Sequence, residues 1–289
     1  MPVAVVTDTT HYMPNEVVER HRLHSVPLYV TWNGRTQPES ELASFDAFYD
    51  HLRSSTELPT TSQPSIGDFL AVYEPLLDSG HDILSVHLSA GLSGTCAAAE
   101  QARIQLVEGG LDPARLVVLD SATVCAGLGL MAIAAANAVA DGADVATAAE
   151  RARALRAELK IWFALETMEF LRRGGRIGMA AAWVGSTLRI KPILTLESQV
   201  EPVERVRTWA RAFDRLLAHL EQRRENGHDT WIIQHIQADD QVEKMVERGS
   251  EIFGAGPEFV SQIGPVIGTH AGPGVLGVAA FKRELAGRV

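Results

Sequence analysis

The stretch SVHLSAGLSGTCAAAEQARIQL, residues 85–106, contains the elements that decide the fold. It begins as a short apolar run, continues as a loop of small and hydroxyl-bearing residues at 89–95, and ends as an alanine-rich segment. A buried strand, a short loop and a helix in this order form the repeating unit of α/β proteins. Because backbone N–H groups at the start of a helix attract anions, the loop also predicts an anion-binding site.

The first half of the chain repeats this alternation of strand and helix. We predict strands at VAVVTDTT, which ends in polar turn residues, and at SVPLYVTW, DILSVHL and RLVVLDS. We predict helices at NEVVERH, SFDAFYDHLRSS, SIGDFLAVYEPLLDSG, residues 126–140 and DVATAAERARALRAEL. Strands that are apolar throughout and alternate with helices are typical of a parallel sheet covered on both faces. Residues 1–159 are therefore predicted to form a three-layer α/β/α domain with a parallel sheet.

The second half changes character near residue 160, where hairpins mix with helices. PILTLES and VEPVERVRT predict a hairpin, and the apolar residues from Trp209 to Leu220 have helical spacing. We further predict strands at TWIIQHIQ, EFVSQIGPVIGTH and GVLGVAAFKRE, and a helix with aspartate caps at DDQVEKMVERGSEIF. These elements predict a two-layer α/β domain with a mixed sheet over residues 160–289. Since no glycine- or proline-rich linker separates the halves, we expect the domains to pack closely and to bind a ligand between them.

Two predicted strands of the first half end in an aspartate. Asp8 follows the first apolar run, and Asp120 follows the run VVL. Because ligands of open α/β sheets bind beyond the carboxyl ends of the strands, these loops and the Ser93 loop should share one rim. Capping of a helix N-terminus is the alternative role for both aspartates.

Composition and charge narrow the classes of function. A length of 289 residues favours two domains, and 36 acidic against 26 basic residues oppose a nucleic-acid binder. The N-terminus lacks a secretory signal and no apolar stretch is long enough to span a bilayer, which predicts a cytoplasmic protein.

Two cysteines do not make a disulfide framework. We interpret Cys96 as small buried filler, with a reactive thiol at a helix start as the alternative.

Common catalytic and cofactor motifs are missing or stand in the wrong context. The GxGxxG pattern that begins at Gly272 precedes a predicted strand and leaves no room for a ribose-binding acid. No P-loop, GxSxG elbow or HExxH pair occurs, and the ten histidines show no metal-ligand spacing. The sequence therefore predicts no metal, no cofactor and no catalytic residue.

Four polar clusters remain as candidate sites. They are PTTSQPS with Thr61, the opening loop with Ser93 and Gly94, RRGGRIG with Arg176, and IGTHAGPG with His270 between an apolar strand and a glycine turn. Each cluster alone has a purely structural interpretation as a cap, a helix stop or a buried polar residue. Together, hydroxyls, a helix N-terminus, an arginine and a histidine describe a site for one anionic group.

The motifs in this order resemble those of the DegV family of bacterial fatty-acid-binding proteins. The resemblance covers nearly the whole chain and is carried by VVTDTTHYMP, TSQPSIGDF, LSAGLSGT, VVLDSATVCAGLGL, MEFLRRGGRIG, LRIKPIL and IGTHAGPGVLGV. It implies an α/β/α domain followed by a two-layer domain, with a long-chain fatty acid such as palmitate bound between them. Cys96 departs from the pattern, since many relatives carry an aromatic residue there, which bears on the shape of the pocket.

The resemblance also implies roles for individual residues. The hydroxyl contacts to the carboxylate fall on Thr61 and Ser93, and Arg176 and His270 belong to the surrounding polar network. The backbone amide of Gly94 can add a further hydrogen bond to the carboxylate.

Some members of the family present the bound acid to a separate kinase subunit that makes acyl phosphate, so a kinase partner is implied here. A protein acting alone as a phosphotransferase or hydrolase, through His270 with Asp8 or Asp120, is one alternative. A lipid sensor or store without a kinase partner is another. Transient contact with a membrane surface is compatible with each.

Overall fold

A computed structural model describes residues 2–42, 44–55, 57–183 and 190–289. Its strands are β1 Val3–Asp8, β2 His24–Val26, β3 Tyr29–Trp32, β4 Arg35–Pro38, β5 Thr60–Ser62, β6 Asp82–His87, β7 Leu116–Asp120, β8 Lys160–Ala164, β9 Lys191–Glu197, β10 Gln199–Val206, β11 Thr230–Ile236, β12 Val260–Gln262 and β13 Val275–Phe281. Its α-helices are α1 Asn15–Arg20, α2 Phe45–Ser54, α3 Ile66–Asp78, α4 Thr95–Glu108, α5 Ala126–Ala140, α6 Val145–Glu158, α7 Glu169–Arg173, α8 Trp209–Glu225, α9 Asp239–Phe253, α10 Pro265–Ala271 and α11 Arg283–Ala286. Leu188 and Arg189 of the motif LRIKPIL lie outside the described residues.

The first sheet is parallel, with the strand order β2-β1-β6-β7. All six residues of β1 are buried, because helices cover both faces of the sheet. Phe69 and Tyr73 of α3 and the alanines of α4 pack on one face. Helices α5 and α6 pack on the other. The predicted three-layer α/β/α architecture is confirmed.

The second sheet is mixed, with the order β10-β9-β8-β13-β11-β12, and only β11 and β12 run parallel. Side chains alternate along β11, so that Ile233 packs with α8 and α9 and Ile232 packs with α5. Helices therefore cover the outer face, and the inner face turns toward the first sheet. This confirms the predicted two-layer arrangement.

Helix α5 lies between the two sheets. Every residue from Ala126 to Ala136 is buried, and Leu128 belongs to one apolar cluster with Leu84 of the first sheet and Phe281 of the second. A helix that is apolar on all sides requires such a position. One core is thus shared across the predicted domain boundary at residues 159 and 160, and that boundary stays a prediction.

The predicted strand SVPLYVTW is wrong as a single element. Pro27 divides it, because proline has no N–H to donate and restricts the residue before it. The first part is β2, at the edge of the parallel sheet, and the second part is β3. Strand β3 pairs with β4 and β5 in a small antiparallel sheet, in which Thr61 lies opposite Val30.

Two further predictions are corrected near the C-terminal end. The apolar run EFVSQIGPVIGTH is a strand only at β12, since Gly264 interrupts it and Pro265 begins α10 with a fixed, helix-compatible φ. His270 therefore lies on a helix and not at the end of a strand. The N-cap of α9 is Ala238, so the predicted aspartate caps are wrong; Asp239 and Asp240 occupy the first turn instead. There their carboxylates still interact favourably with the helix dipole.

Candidate functional site

A cavity of about 380 Å³ lies between the carboxyl edge of the parallel sheet and the inner face of the mixed sheet. This volume is within the range of about 300–1,000 Å³ that is usual for small-molecule sites. Most of its wall is apolar and comes from the loops after β6 and β7, from α10 and from the inner strands, including Leu88, Val124, Ile161, Phe163, Ile232 and Ile267. The location agrees with the expectation of a ligand site between the two halves.

All five residues predicted for the site line this one cavity. Thr61 comes from β5, Ser93 and Gly94 from the loop before α4, Arg176 from the segment after α7, and His270 from α10. Together they form the polar end of the cavity, while the rest of the wall is mainly apolar. The fold thus brings together side chains that lie up to 209 positions apart in the chain.

Thr61 and His270 are hydrogen-bonded, with 2.9 Å between Oγ1 and Nε2. Burial, and next the charge of Arg176, lowers the pKa of His270 to about 4, so the imidazole is neutral at pH 7. Nδ1 of His270 is buried without a partner in the described part of the chain. We assign the proton to Nε2, because a buried N–H without an acceptor is rarer than a buried acceptor without a donor. His270 then donates to Thr61, and the Thr61 hydroxyl can donate to a ligand.

The Ser93 loop is fixed from several sides. Ser93 Oγ lies 2.9 Å from Thr95 Oγ1 and accepts from the Thr95 amide at 3.3 Å. With Thr95 as the donor, the Ser93 hydroxyl proton is left for a ligand. Ser89 donates to the carbonyl of Ser198 at 2.6 Å, and Asp120 accepts from the amide of Ala90 at 3.1 Å. The loop is therefore held by both halves of the chain.

Gly94 lies where α4 begins, against the side chain of Gln63. A Cβ atom at position 94 would lie 2.2 Å from Gln63 Oε1, so the glycine allows the end of this flexible side chain to pack against the start of α4. Gln63 also lines the cavity, beside the start of α4. The sequence offered no signal for this contact, because Gln63 and Gly94 meet only through the tertiary fold.

The two glycines of RRGGRIG have different roles. Gly175 has a φ of +71°, a left-handed conformation that favours glycine, and it makes the turn after α7. Gly174 has ordinary helical angles, but a Cβ there would lie 2.2 Å from Nδ1 of His270. Arg176 donates to the carbonyl of Gly174 at 2.7 Å, and its side chain is exposed at the mouth of the polar end. Gly175 thus forms the turn, and Gly174 forms a contact surface for His270.

Asp8 is buried outside the cavity lining. It caps the short 3-10 helix Thr9–His11 and accepts from the amide of Leu88 at 2.9 Å and from His87 at 3.1 Å. Burial opposes the charge of Asp8, but hydrogen bonds and the charge of His87 outweigh burial and lower its pKa. Asp8 therefore caps a helix N-terminus, which is the alternative role predicted for it. Asp120 instead accepts from the amides of Ala90 and Ala122 and shapes the rim without lining the cavity.

Both cysteines are free thiols. Burial, followed by the charges of Asp120 and Asp8, raises the pKa of Cys96 to about 12. The alternative of a reactive thiol is therefore wrong for Cys96, which packs as buried filler. Cys125 lines the cavity at the start of α5, where burial also raises its pKa.

Two buried polar residues near the cavity were missed. Glu39 accepts from Thr9 Oγ1 at 2.7 Å, from the Tyr12 hydroxyl at 2.9 Å and from the amide of Val266 at 3.0 Å. Burial raises the pKa of this carboxyl to about 7. Glu39 thereby holds the first turn of α10, the helix that carries His270. Nothing in the polar stretch around Glu39 signals burial.

Gln234 is the second missed residue and lies on the inner face of β11. Its Oε1 accepts from the amide of Ala126 at 2.6 Å, and its Nε2 donates to the carbonyl of His11 at 3.1 Å. Gln234 therefore links the mixed sheet to the first residue of α5 and to the segment after β1. A glutamine inside the apolar run TWIIQHIQ is a signal that could have identified it.

No group of three or more side chains suited to a metal ion occurs within 2–42, 44–55, 57–183 and 190–289. In the same ranges, no helix combines the length and apolar character that crossing a membrane requires.

Comparison with known proteins adds independent findings. The family model described as an uncharacterised protein of the DegV family matches residues 2–283. A DegV domain-containing protein of Streptomyces coelicolor is 37% identical over 284 residues, which cover 97% of this chain and 99% of that protein. A fatty-acid-binding DegV family protein from Thermus thermophilus has a similar structure, with a TM-score of 0.88, 32% identity and coverage of 98% of this chain and 100% of that one. The fatty acid binding protein DegV of Bacillus subtilis gives a TM-score of 0.85 at the same identity and coverage.

Proposed function

Because the chain belongs to the DegV family, we propose that it binds one long-chain fatty acid in the cavity between its two sheets. The observation that carries the proposal is the division of this cavity into a largely apolar wall and one polar end. A fatty acid requires the same division, since its tail avoids water and its carboxylate needs hydrogen-bond donors. The related proteins of Thermus thermophilus and Bacillus subtilis bind fatty acids, which supports the proposal.

The tail supplies most of the binding free energy. Burial of each CH₂ group contributes about 0.8 kcal/mol, so a chain of roughly sixteen carbons gains on the order of 12 kcal/mol before costs. Ordering of the chain and loss of translational freedom reduce this gain substantially. The apolar wall therefore sets the strength of binding and the preferred chain length.

The polar end selects a free acid. A buried carboxylate without partners costs several kcal/mol, and the hydroxyls of Thr61 and Ser93 with the amide of Gly94 can offset that cost. Arg176 adds a positive charge at the mouth, and the N-terminus of α4 adds a favourable dipole. An alcohol or a hydrocarbon gains none of the charge-assisted hydrogen bonds.

Native mass spectrometry of the purified chain tests the proposal, followed by solvent extraction and identification of the ligand. We expect a mass increment of one acyl chain per protein molecule that disappears after extraction and returns when palmitate is added. A chain that carries no lipid and does not take up added palmitate would contradict the proposal.

We further propose that the bound acid is presented to a separate kinase subunit. The polar end reaches the surface, because Arg176 and Gln63 are exposed there, and a phosphoryl donor can approach the carboxylate from that side. Arg176 is placed to stabilise the charge of an acyl phosphate. Arg176→Ala should therefore reduce phosphorylation by an added fatty acid kinase more than it reduces acyl binding, and equal losses would remove this role.

Catalysis by the chain alone has less support. His270 is bonded to Thr61, whereas Asp8 accepts from Thr10, His87 and the amide of Leu88, and Asp120 accepts from backbone amides. The described hydrogen bonds thus do not pair His270 with either carboxylate, as a general base held by an acid would require. Turnover of ATP by the purified chain without a partner would favour the enzyme, and acyl binding without partner-dependent phosphorylation would favour a lipid store or sensor.

A further inference from the structure

A second cleft, of about 790 Å³, lies at the opposite edge of the parallel sheet. It is formed where β1, β2 and β6 begin, at Pro2, Val3, His24 and His81, and is closed by the end of α1 and the last turns of α5. The acyl cavity lies at the other ends of these strands, where β6 leads into Leu88. The two sites are therefore separated by the length of the sheet.

Six basic side chains line this basic cleft. They are Arg20, His21, Arg22, His24, His81 and Arg288. No aspartate or glutamate belongs to the lining within the described part of the chain, although acidic residues outnumber lysine and arginine by 36 to 26 overall. A concentration of one sign of charge in a concave surface attracts ligands of the opposite sign.

The positive charges of the basic cleft have little internal compensation. Arg20 donates from Nη1 to a backbone oxygen of Val289 at 2.6 Å and retains further N–H groups. Nε2 of His21 is buried and has no hydrogen-bond partner among the described residues. Burial and then the charge of Arg20 lower the pKa of His21, and burial and then His81 lower the pKa of His24. The lowered pKa values keep His21 and His24 largely neutral at pH 7, so Arg20, Arg22 and Arg288 supply the positive charge of the basic cleft.

The floor of the basic cleft is apolar. Val3, Val5, Ala136 and Val139 line it beside the arginines. Guanidinium groups bind phosphate oxygens in a bidentate manner, and an apolar floor accepts the organic part of a phosphate ester.

We propose that the basic cleft is a second binding site, which takes a ligand that carries phosphate groups on an organic body. The phosphate lies among Arg20, Arg22 and Arg288, and the organic part lies on the floor next to α5. A free phosphate ester and the headgroup of an anionic phospholipid share this chemistry. The site does not depend on the acyl cavity, so the two proposals fail independently.

Two probes distinguish the sources of phosphate. Inorganic pyrophosphate is titrated into the full chain by calorimetry, and sedimentation is measured with phosphatidylcholine vesicles that contain or lack phosphatidylglycerol. The variant Arg22→Ala/Arg288→Ala removes two exposed guanidiniums of the cleft, and Arg207→Ala/Arg211→Ala removes two exposed guanidiniums elsewhere. Both variants change the net charge equally, and an unchanged circular dichroism spectrum and unfolding midpoint confirm that each is folded.

We expect the cleft variant to weaken pyrophosphate binding about tenfold or more, and the control to change it less than about twofold. A second outcome is that the protein binds only the vesicles that contain phosphatidylglycerol, and that only the cleft variant loses this binding. In that case the phosphate that the cleft recognises belongs to a lipid headgroup, and the proposed site is supported. The proposal is overturned if neither probe binds saturably, or if the two variants lose binding equally.

Discussion

The polar end and the apolar wall of the acyl cavity are assembled in opposite ways. The polar end takes single side chains from four separate segments and orients them by short, directional bonds such as the one between Thr61 and His270. The wall takes many apolar side chains from neighbouring strands and helices, and no one of them is decisive. Binding free energy should therefore be concentrated in a few residues at the polar end and distributed at the wall.

Removal of both hydroxyls is the strongest test of this contrast. A hydrogen bond to a charged group contributes about 1.5–3 kcal/mol, so Thr61→Ala/Ser93→Ala should weaken palmitate binding about a hundredfold or more. The preference for palmitate over hexadecanol should fall by a similar factor, because the alcohol gains less from these donors. Competition with a fluorescent fatty acid measures both quantities.

The matched control is Thr36→Ala/Ser40→Ala, which removes two hydroxyls from exposed positions that do not line the cavity. It should bind palmitate as the wild type does. If the double variant at Thr61 and Ser93 keeps both its affinity and its preference for the acid, the polar end does not hold the carboxylate.

Glu39 connects the two regions, because α10 carries His270 at the polar end and Val266 and Ile267 in the wall. Its pKa is raised from 4.5 to about 7, so this carboxyl contributes stability below pH 4.5 that is lost as the pH rises through about 7. The loss is about 3 kcal/mol of unfolding free energy. Glu39→Gln cannot ionise and should remove this dependence.

The measurement is denaturant unfolding of both proteins between pH 4.5 and 8. The pKa values of His11, His219 and His270 are lowered to about 4, so these histidines contribute stability to the fold that is lost as the pH falls. Their pH dependence is therefore opposite to that of Glu39. The difference between wild type and variant isolates Glu39. A difference that is constant with pH would show that Glu39 is ionised throughout.

The sequence predicted the elements of the fold well where a single pattern dominates. Apolar runs identified β1, β6 and β7, and the apolar helix at residues 126–140 was predicted with the bounds that α5 has. The errors arose where local chemistry overrode an apolar run, at Pro27 and at Gly264. The apolar residues of EFVSQIGPVIGTH fit a buried strand and a short buried helix equally well. Only the glycine and the proline inside this stretch distinguish the two structures.

The candidate site was less accessible to sequence reasoning than the fold. The hydroxyls, Arg176 and His270 could be proposed because their residue types suit an anion and their motifs resemble a family. Contacts such as Gln63 with Gly94, and Glu39 with α10, depend on distances that the chain order does not contain. The need for glycine at position 174 likewise follows from its neighbour in space, His270.

Gly174 therefore offers a test of the polar end that leaves the ligand-contacting side chains in place. In Gly174→Ala the new methyl group would lie 2.2 Å from Nδ1 of His270, which must shift and weaken its bond to Thr61. Palmitate affinity should fall about tenfold, the value of one modest hydrogen bond. The backbone at Gly174 is helical and suits alanine, so the expected loss of stability, about 1–3 kcal/mol, comes from displacement of the His270 ring.

Gly175→Ala is the matched control next to it. This position has a φ of +71° and open space around its Cα, so alanine should cost about 1 kcal/mol of stability through backbone strain. Palmitate affinity should stay near that of the wild type. Equal effects of the two substitutions on affinity would mean that the turn, and not the position of His270, supports the polar end.

The smallest effect is expected at the wall. Phe163→Leu enlarges the cavity without a polar change, and the removal of a few buried carbon atoms costs on the order of 1 kcal/mol of stability. The ratio of stearate to palmitate affinity should rise by up to about fourfold, which corresponds to one buried CH₂ group. Phe213→Leu on the outer helix α8 should leave the ratio unchanged. A loss at Phe163 as large as that of the hydroxyl variant would show that the wall, too, depends on one residue, and the contrast between the two regions would fail.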